Sequence, residues 1–258
     1  MKKRGKRGQI SVFIIIAVII IAVAVIFLII NFSQSKTKLD NIFSKLGIKT
    51  QSSLVQSSIL DCVENTARDS LVIIGIQGGY YNAPEKNVDL GWTFIPYYYY
   101  EGIFLMPTKE KIEQELSLYV DDNLAACLNE LEYNEFSISY DNSKTTATIE
   151  EKKVSFITDL KITFKKDDSS SEFELSNHPV EIESALSDIL EVASYITEGH
   201  KEDPEFVCIS CVADMAESKN LYVDMLDFGD ESSTLIVISE NYTSSEPYVF
   251  EFLNKYVV

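Results

Sequence analysis

"FSISYDNSKTTATIEEKKVSFITDLKITFKK", residues 136–166, is where the hydrophobic period of the chain changes from helical to strand-like. "FSISY" (136–140), "TTATIE" (145–150) and "KVSFITDLKITFKK" (153–166) alternate apolar with polar residues, and "SEFELS" (171–176) continues the pattern after a "DDSS" turn. Alternation puts every second side chain on one face, so these runs predict a meander of antiparallel strands with one face on a core. Downstream, Ile182, Leu186, Ile189, Leu190, Ala193 and Ile196 predict a helix from about Val180 to Glu198. "LYVDML", "STLIVISE" and "YVFEFLNKY" supply three more strands. Strands, helices and strands again define an α+β domain with helices packed on one sheet face.

Upstream of residue 132 the spacing is helical. Val55, Ile59, Cys62, Val63, Thr66 and Ala67 share one stripe, and Ile112, Leu116, Val120, Leu124, Cys127 and Leu131 share another. Between them lies an aromatic insertion with Trp92, the only tryptophan, and six tyrosines at 80, 81 and 97–100. Gly78 and Gly79 stop the first helix, and "IPYYYYEG" reads as a short strand or turn. Two expectations follow. The rings pack on their own domain, or Trp92, Tyr97, Tyr98, Tyr99 and Tyr100 within segment 80–104 form a surface for carbohydrate or peptide.

The four cysteines, Cys62, Cys127, Cys208 and Cys211, allow three pairings. Cys62 and Cys127 fall on the apolar stripes of separate helices, which favours bridging them and leaves Cys208 and Cys211 as a local pair. "CISC" also invites an extracytoplasmic thiol oxidoreductase reading. Against it, Asp203 as N-cap and Pro204 at the first helical position put Cys208 in the second turn, away from the helix start that activates a redox cysteine. One such motif supplies two zinc ligands, and neither His178 nor His200 has a ligand-like spacing to it. No metal and no cofactor is expected. No nucleophile elbow, zincin motif, phosphate loop or dinucleotide fingerprint is found, so the expectation is a protein without catalytic residues. The acidic pairs, Asp121 with Asp122 among them, read as solvated, and "DFGDESS" (227–233) as a hairpin turn.

Residues 10–30 carry no charge, no glycine and no proline, enough apolar length to cross the hydrocarbon core as one helix. Lys2, Lys3, Arg4, Lys6 and Arg7 precede it, so the positive-inside bias keeps the N-terminus in the cytoplasm. Beyond the span, 17 basic residues face 40 acidic ones, a net charge of −23 that repels nucleic acid. The reading is a basic leader (1–8), a membrane helix (9–31), a stalk (32–51) with Leu39, Ile42, Phe43 and Leu46 at helical spacing, a helical segment (52–131) and the α+β extracytoplasmic domain (132–258).

The run "RGQIS", a basic segment ending in Gly8 and followed by Gln9 and an apolar helix, resembles the class III signal of archaeal type IV pilin-like proteins. The resemblance implies cleavage between Gly8 and Gln9 with the helix retained. Phe13 stands at the fifth position after the cut, where many pilins carry Glu. The order of "QGGY", "MPTKEKIEQELSLYV", "NLAAC", "NLYVDML" and "EPYVFEFLNKY" resembles membrane-anchored archaeal surface proteins. That likeness implies a cell-surface location and no particular reaction, and the partners expected for such a chain are the membrane and either further copies of itself or other surface proteins.

Overall fold

The computed structural model describes residues 55–131, 137–166, 169–202, 207–240 and 247–256. The expected leader, membrane helix and stalk, with the candidate cut at Gly8 and Gln9, lie outside them. Among the described residues no helix is long and apolar enough to cross a membrane. The chain divides after Gln56, and Ser57–Val258 forms one unit of α+β architecture.

Helix α1 (55–76) and helix α2 (Lys109–Glu130) form where the apolar stripes predict. Ile59, Ala67, Ile112, Leu116, Val120 and Leu124 are fully buried. Thr108 caps α2, its hydroxyl accepting from the Lys111 N–H at 3.2 Å. At the end of α1, Gly75 brings the helix backbone against the sheet. A Cβ there would lie 2.4 Å from the Val249 carbonyl oxygen, so only glycine permits this approach.

The aromatic insertion supplies strands β1 (Asn87–Asp89), β2 (Phe94–Tyr100) and β3 (Ile103–Phe104). Strands β10 (Leu221–Phe228), β11 (Asp230–Glu240) and β12 (Val249–Lys255) complete a six-stranded sheet in the order β1-β2-β12-β11-β10, with β3 also on β2. β2 and β12 run parallel, and every other pair in the sheet is antiparallel. Residues of the 52–131 and 132–258 stretches therefore share one sheet.

The meander forms as three long strands, each interrupted near its middle. Its segments are β4 (Ser137–Tyr140), β5 (Lys144–Ile149), β6 (Lys153–Asp159), β7 (Lys161–Lys166), β8 (Ser169–Glu174) and β9 (Val180–Glu183). The order is β4-β7-β8 on one side of the break and β5-β6-β9 on the other. The register steps from Tyr140↔Ile162 to Lys144↔Asp159, four residues against three, so one extra residue kinks the ribbon. Buried Leu160 sits at the kink, and its carbonyl accepts from the Leu175 N–H at 3.0 Å. Thus the single run expected over 153–166 is two strands.

The expected helix from Val180 is also corrected. Val180–Glu183 pairs with β6, and helix α3 spans Leu186–Glu202. The Ser184 hydroxyl accepts from the Leu186 N–H at 3.1 Å, and Glu240 accepts from the Ala185 N–H at 2.9 Å, which fixes the helix start after the strand. Helix α4 (Ile209–Ser218) follows and packs on β10. At its far end Lys219 lies 2.7 Å from Asp188 and 2.6 Å from Glu191 of α3, fastening the two helices together.

The edge of the meander is closed by helix side chains. Glu113, Ser117 and Asp121 of α2 accept from the backbone N–H groups of Ile149, Ala147 and Thr145 at 2.8, 2.9 and 2.8 Å. Four helical residues rise ~6 Å and two strand residues ~6.6 Å, so an i, i+4, i+8 stripe matches alternate residues of a strand. These side chains replace the missing neighbour of β5 and protect an otherwise open edge. Asp121 is therefore a structural acceptor, and its reading as a solvated carboxylate is corrected.

Candidate functional site

The aromatic segment divides by strand geometry. Asp89 Oδ1 accepts from the Gly91 N–H at 2.7 Å, and Gly91 adopts φ +88°, closing the β1–β2 hairpin. Trp92 projects from this tip at 81% exposure, with Leu90 partly exposed beside it in the chain. Along β2 the four tyrosines part company. Tyr98 is fully buried, stacks on Phe252 with ring centroids 4.3 Å apart, and donates to the Gly78 carbonyl at 2.9 Å. Burial pushes its phenol well above the usual tyrosine range, with Tyr80 and Tyr248 adding to the effect. Tyr99 is buried against Tyr256.

Half-buried Tyr97 and Tyr100 meet edge to face at 5.0 Å, and the ammonium groups of Lys86 and Lys255 lie 4.9 and 5.3 Å from the Tyr100 ring centre. Of the five candidate binding residues, Tyr98 and Tyr99 belong to the core because β2 is covered on both faces. Trp92, Tyr97 and Tyr100 remain accessible. Trp92 and Tyr100 stand at opposite ends of β2, roughly 20 Å apart along the strand, so the segment offers a tip and a separate Tyr100 patch.

Sequence reasoning missed what holds this segment. Glu115 is 2% exposed, and its Oε2 accepts from the Tyr81 and Asn82 N–H groups at 2.8 and 3.0 Å while Lys111 pairs with Oε1. A charged residue inside an apolar helical stripe was the available signal, since a buried carboxylate requires donors.

Both expected cysteine pairs are disulfides. Cys62–Cys127 joins α1 to α2 across a Cα–Cα distance of 5.8 Å, and Cys208–Cys211 closes a local loop with a Cα–Cα distance of 5.2 Å. The position of the second is a correction. Cys208 is the N-cap of α4, its sulfur accepting from the Cys211 N–H at 3.3 Å, and Ser210 Oγ lies 3.7 Å from the same sulfur. The sulfur takes the capping position that the sequence assigned to Asp203, which lies outside the described residues. Cys208 and Cys211 are each partly exposed.

Residues 227–233 span the β10–β11 hairpin, whose turn is at Gly229 with φ +70°. His178 stacks at 4.9 Å from Phe173 after a 3₁₀ turn, a packing role. Among the described residues no group of three metal-ligating side chains comes together. No family model, curated protein or solved structure matches the chain.

Proposed function

We propose that this chain is a single-pass, membrane-anchored cell-surface protein whose disulfide-clipped ectodomain serves a structural, pilin-like role. One observation carries the reading: both cysteine pairs are bonded, and Cys62–Cys127 clips two core helices across 65 residues. Such bridges belong to oxidising compartments, in agreement with the apolar stretch 10–30 and the basic residues before it. The acidic ectodomain has no affinity for nucleic acid phosphates. Residues 1–8 form the leader and 9–31 the anchor in this reading.

Protease treatment of intact cells tests the topology. The ectodomain is degraded without permeabilisation if it faces out, and full protection until lysis refutes the proposal.

A second reading is favoured by Trp92. An indole at 81% exposure on a hairpin tip suits an anchored carbohydrate- or peptide-binding module. Quenching of Trp92 emission by an oligosaccharide or peptide panel, abolished in Trp92→Ala, supports this role. Unchanged emission across the panel removes it.

A further inference from the structure

We propose that Cys208 and Cys211, together with the groove between α4 and β10, form a thiol–disulfide exchange site for an extended, cysteine-bearing polypeptide. This inference goes beyond the anchoring role and does not depend on it.

The first observation is the place of the disulfide. A structural bridge that clips distant elements, as Cys62–Cys127 does, is costly to open. Cys208–Cys211 spans only three residues, so its opening releases little chain. The fold around it is held by other means: Val212 and Ala216 are buried, and Lys219 ties the end of α4 to Asp188 and Glu191. The bond can cycle while the helix stays docked.

The second observation is what surrounds the Cys208 sulfur. It accepts from the Cys211 N–H at 3.3 Å, and the Ser210 hydroxyl is 3.7 Å away. A disulfide sulfur carries no hydrogen, so the hydroxyl is the donor. Both donors, and the N-terminal end of α4, favour a negative charge on this sulfur over one on Cys211, which accepts no comparable bond among the described residues. Once bonded to a partner sulfur, Cys208 is therefore the good leaving group that completes the exchange, and in the reduced pair it is the sulfur with the larger thiolate fraction.

The third observation is the groove. Ile209, Val212 and Ala213 of α4 face Leu221, Val223 and Met225 of β10 across a cavity of about 770 Å³. Ile209, the residue after Cys208, is 72% exposed. α4 and β10 are joined by a tight turn and run antiparallel, so the first turn of α4, ~15 Å from that turn, lies abreast of Met225. β10 ends the order of its sheet among the described residues. This trough, apolar toward Ile209 and Met225 and lined also by Glu217, Asn220 and Tyr222, suits an extended segment beside an outer strand, and its disulfide end specifies a cysteine in that segment.

The exchange balances without a further reagent. A partner thiolate attacks Cys208 Sγ, the Cys208–Cys211 bond breaks, and the electron pair leaves on Cys211 Sγ, which takes the proton the partner thiol released. A mixed disulfide joins Cys208 to the partner. The partner's second thiolate attacks its own bonded sulfur, and Cys208 departs as a thiolate and takes the second proton. The partner dithiol loses two electrons and two protons, and the Cys208–Cys211 disulfide gains them. The reverse sequence reduces a partner disulfide.

The test uses the full chain in detergent micelles and a synthetic dithiol peptide with two cysteines flanked by valine and isoleucine. A free peptide of sequence CISC sets the baseline. The protein is expected to oxidise the dithiol peptide at least tenfold faster than the free peptide does, with Cys62–Cys127 intact by peptide mapping. The Cys211→Ser variant, whose Cys208 is a free thiol, should trap the oxidised probe as a mixed disulfide at least tenfold faster than Cys208→Ser does. Val223→Lys should slow exchange with the apolar dithiol probe several-fold and leave exchange with reduced glutathione unchanged. Far-UV circular dichroism identifies folded variants, and Met225→Lys replaces Val223→Lys if the latter misfolds. A wild-type rate equal to the free peptide's, equal trapping by the two cysteine variants, or equal loss with both probes in the groove variant each overturns the proposal.

Discussion

Replacing Ser117 by alanine tests the closure of the meander edge, because two opposing effects predict opposite signs. Alanine is the better helix former, worth about 0.5 kcal/mol in the middle of α2. The same substitution removes the acceptor 2.9 Å from the Ala147 N–H, leaving a strand amide without its partner. An unsatisfied buried amide costs about 1–3 kcal/mol, and Ser117 is only half-buried, so entering water lowers the cost toward the bottom of that range. The net expectation is a loss of about 1 kcal/mol. Gln114→Ala, on the exposed side of the same helix, should stay within about 0.5 kcal/mol of wild type. Urea unfolding followed by far-UV circular dichroism is the suitable assay, since Trp92 at its exposed tip reports poorly on the core. Amide exchange at Ala147 should rise in the variant. A Ser117→Ala variant as stable as wild type, or more stable, would show that the Ser117 hydroxyl does not close the β5 edge.

Reduction of the two disulfides separates their roles. Cys62→Ser should lower stability by about 4 kcal/mol from loop entropy alone, and Cys208→Ser by about 2 kcal/mol or less, compared by the same urea titration. Trp92 emission should match that of indole in water and be quenched by acrylamide as freely; a blue-shifted, protected spectrum contradicts its place on the tip. Tyr98 and Tyr248 are held protonated in the fold by burial, whereas an unfolded tyrosine ionises near pH ~10. Their contribution is therefore complete below that pH and is lost as pH rises above it, so stability should fall on the alkaline side, less steeply in Tyr248→Phe.

Much of the architecture is legible in the chain because burial imposes a period. The stripes through Ile59 and Ile112 revealed two helices and their cysteine-bearing faces, and hence the Cys62–Cys127 bridge. What escaped depends on contacts distant in sequence. Val180 and Ile182 fit a helical stripe as well as a strand, and pairing with β6 decides for the strand. Leu160 sits within an unbroken alternation, yet a one-residue register step makes it a kink. Ser117 and Asp121 look like an ordinary polar helix face until β5 is laid beside them. Tyr97–Tyr100 are identical letters, and only the parallel partner β12 and the covered faces of β2 distinguish core from surface. The start of α4 was misplaced because Asp203 and Pro204 are a good local cap, and no rule of local sequence assigns that role to a disulfide sulfur.

In the proposed function a retained apolar helix holds the ectodomain at the cell surface. Intact mass and N-terminal sequencing of protein from carbonate-washed membranes test it most directly. The expected chain starts at Gln9, open or cyclised to pyroglutamate, and remains with the membrane pellet. A start at Met1 or Lys2 in cells with an active prepilin peptidase contradicts the pilin-like processing, and recovery of the protein in the carbonate supernatant contradicts the anchor itself.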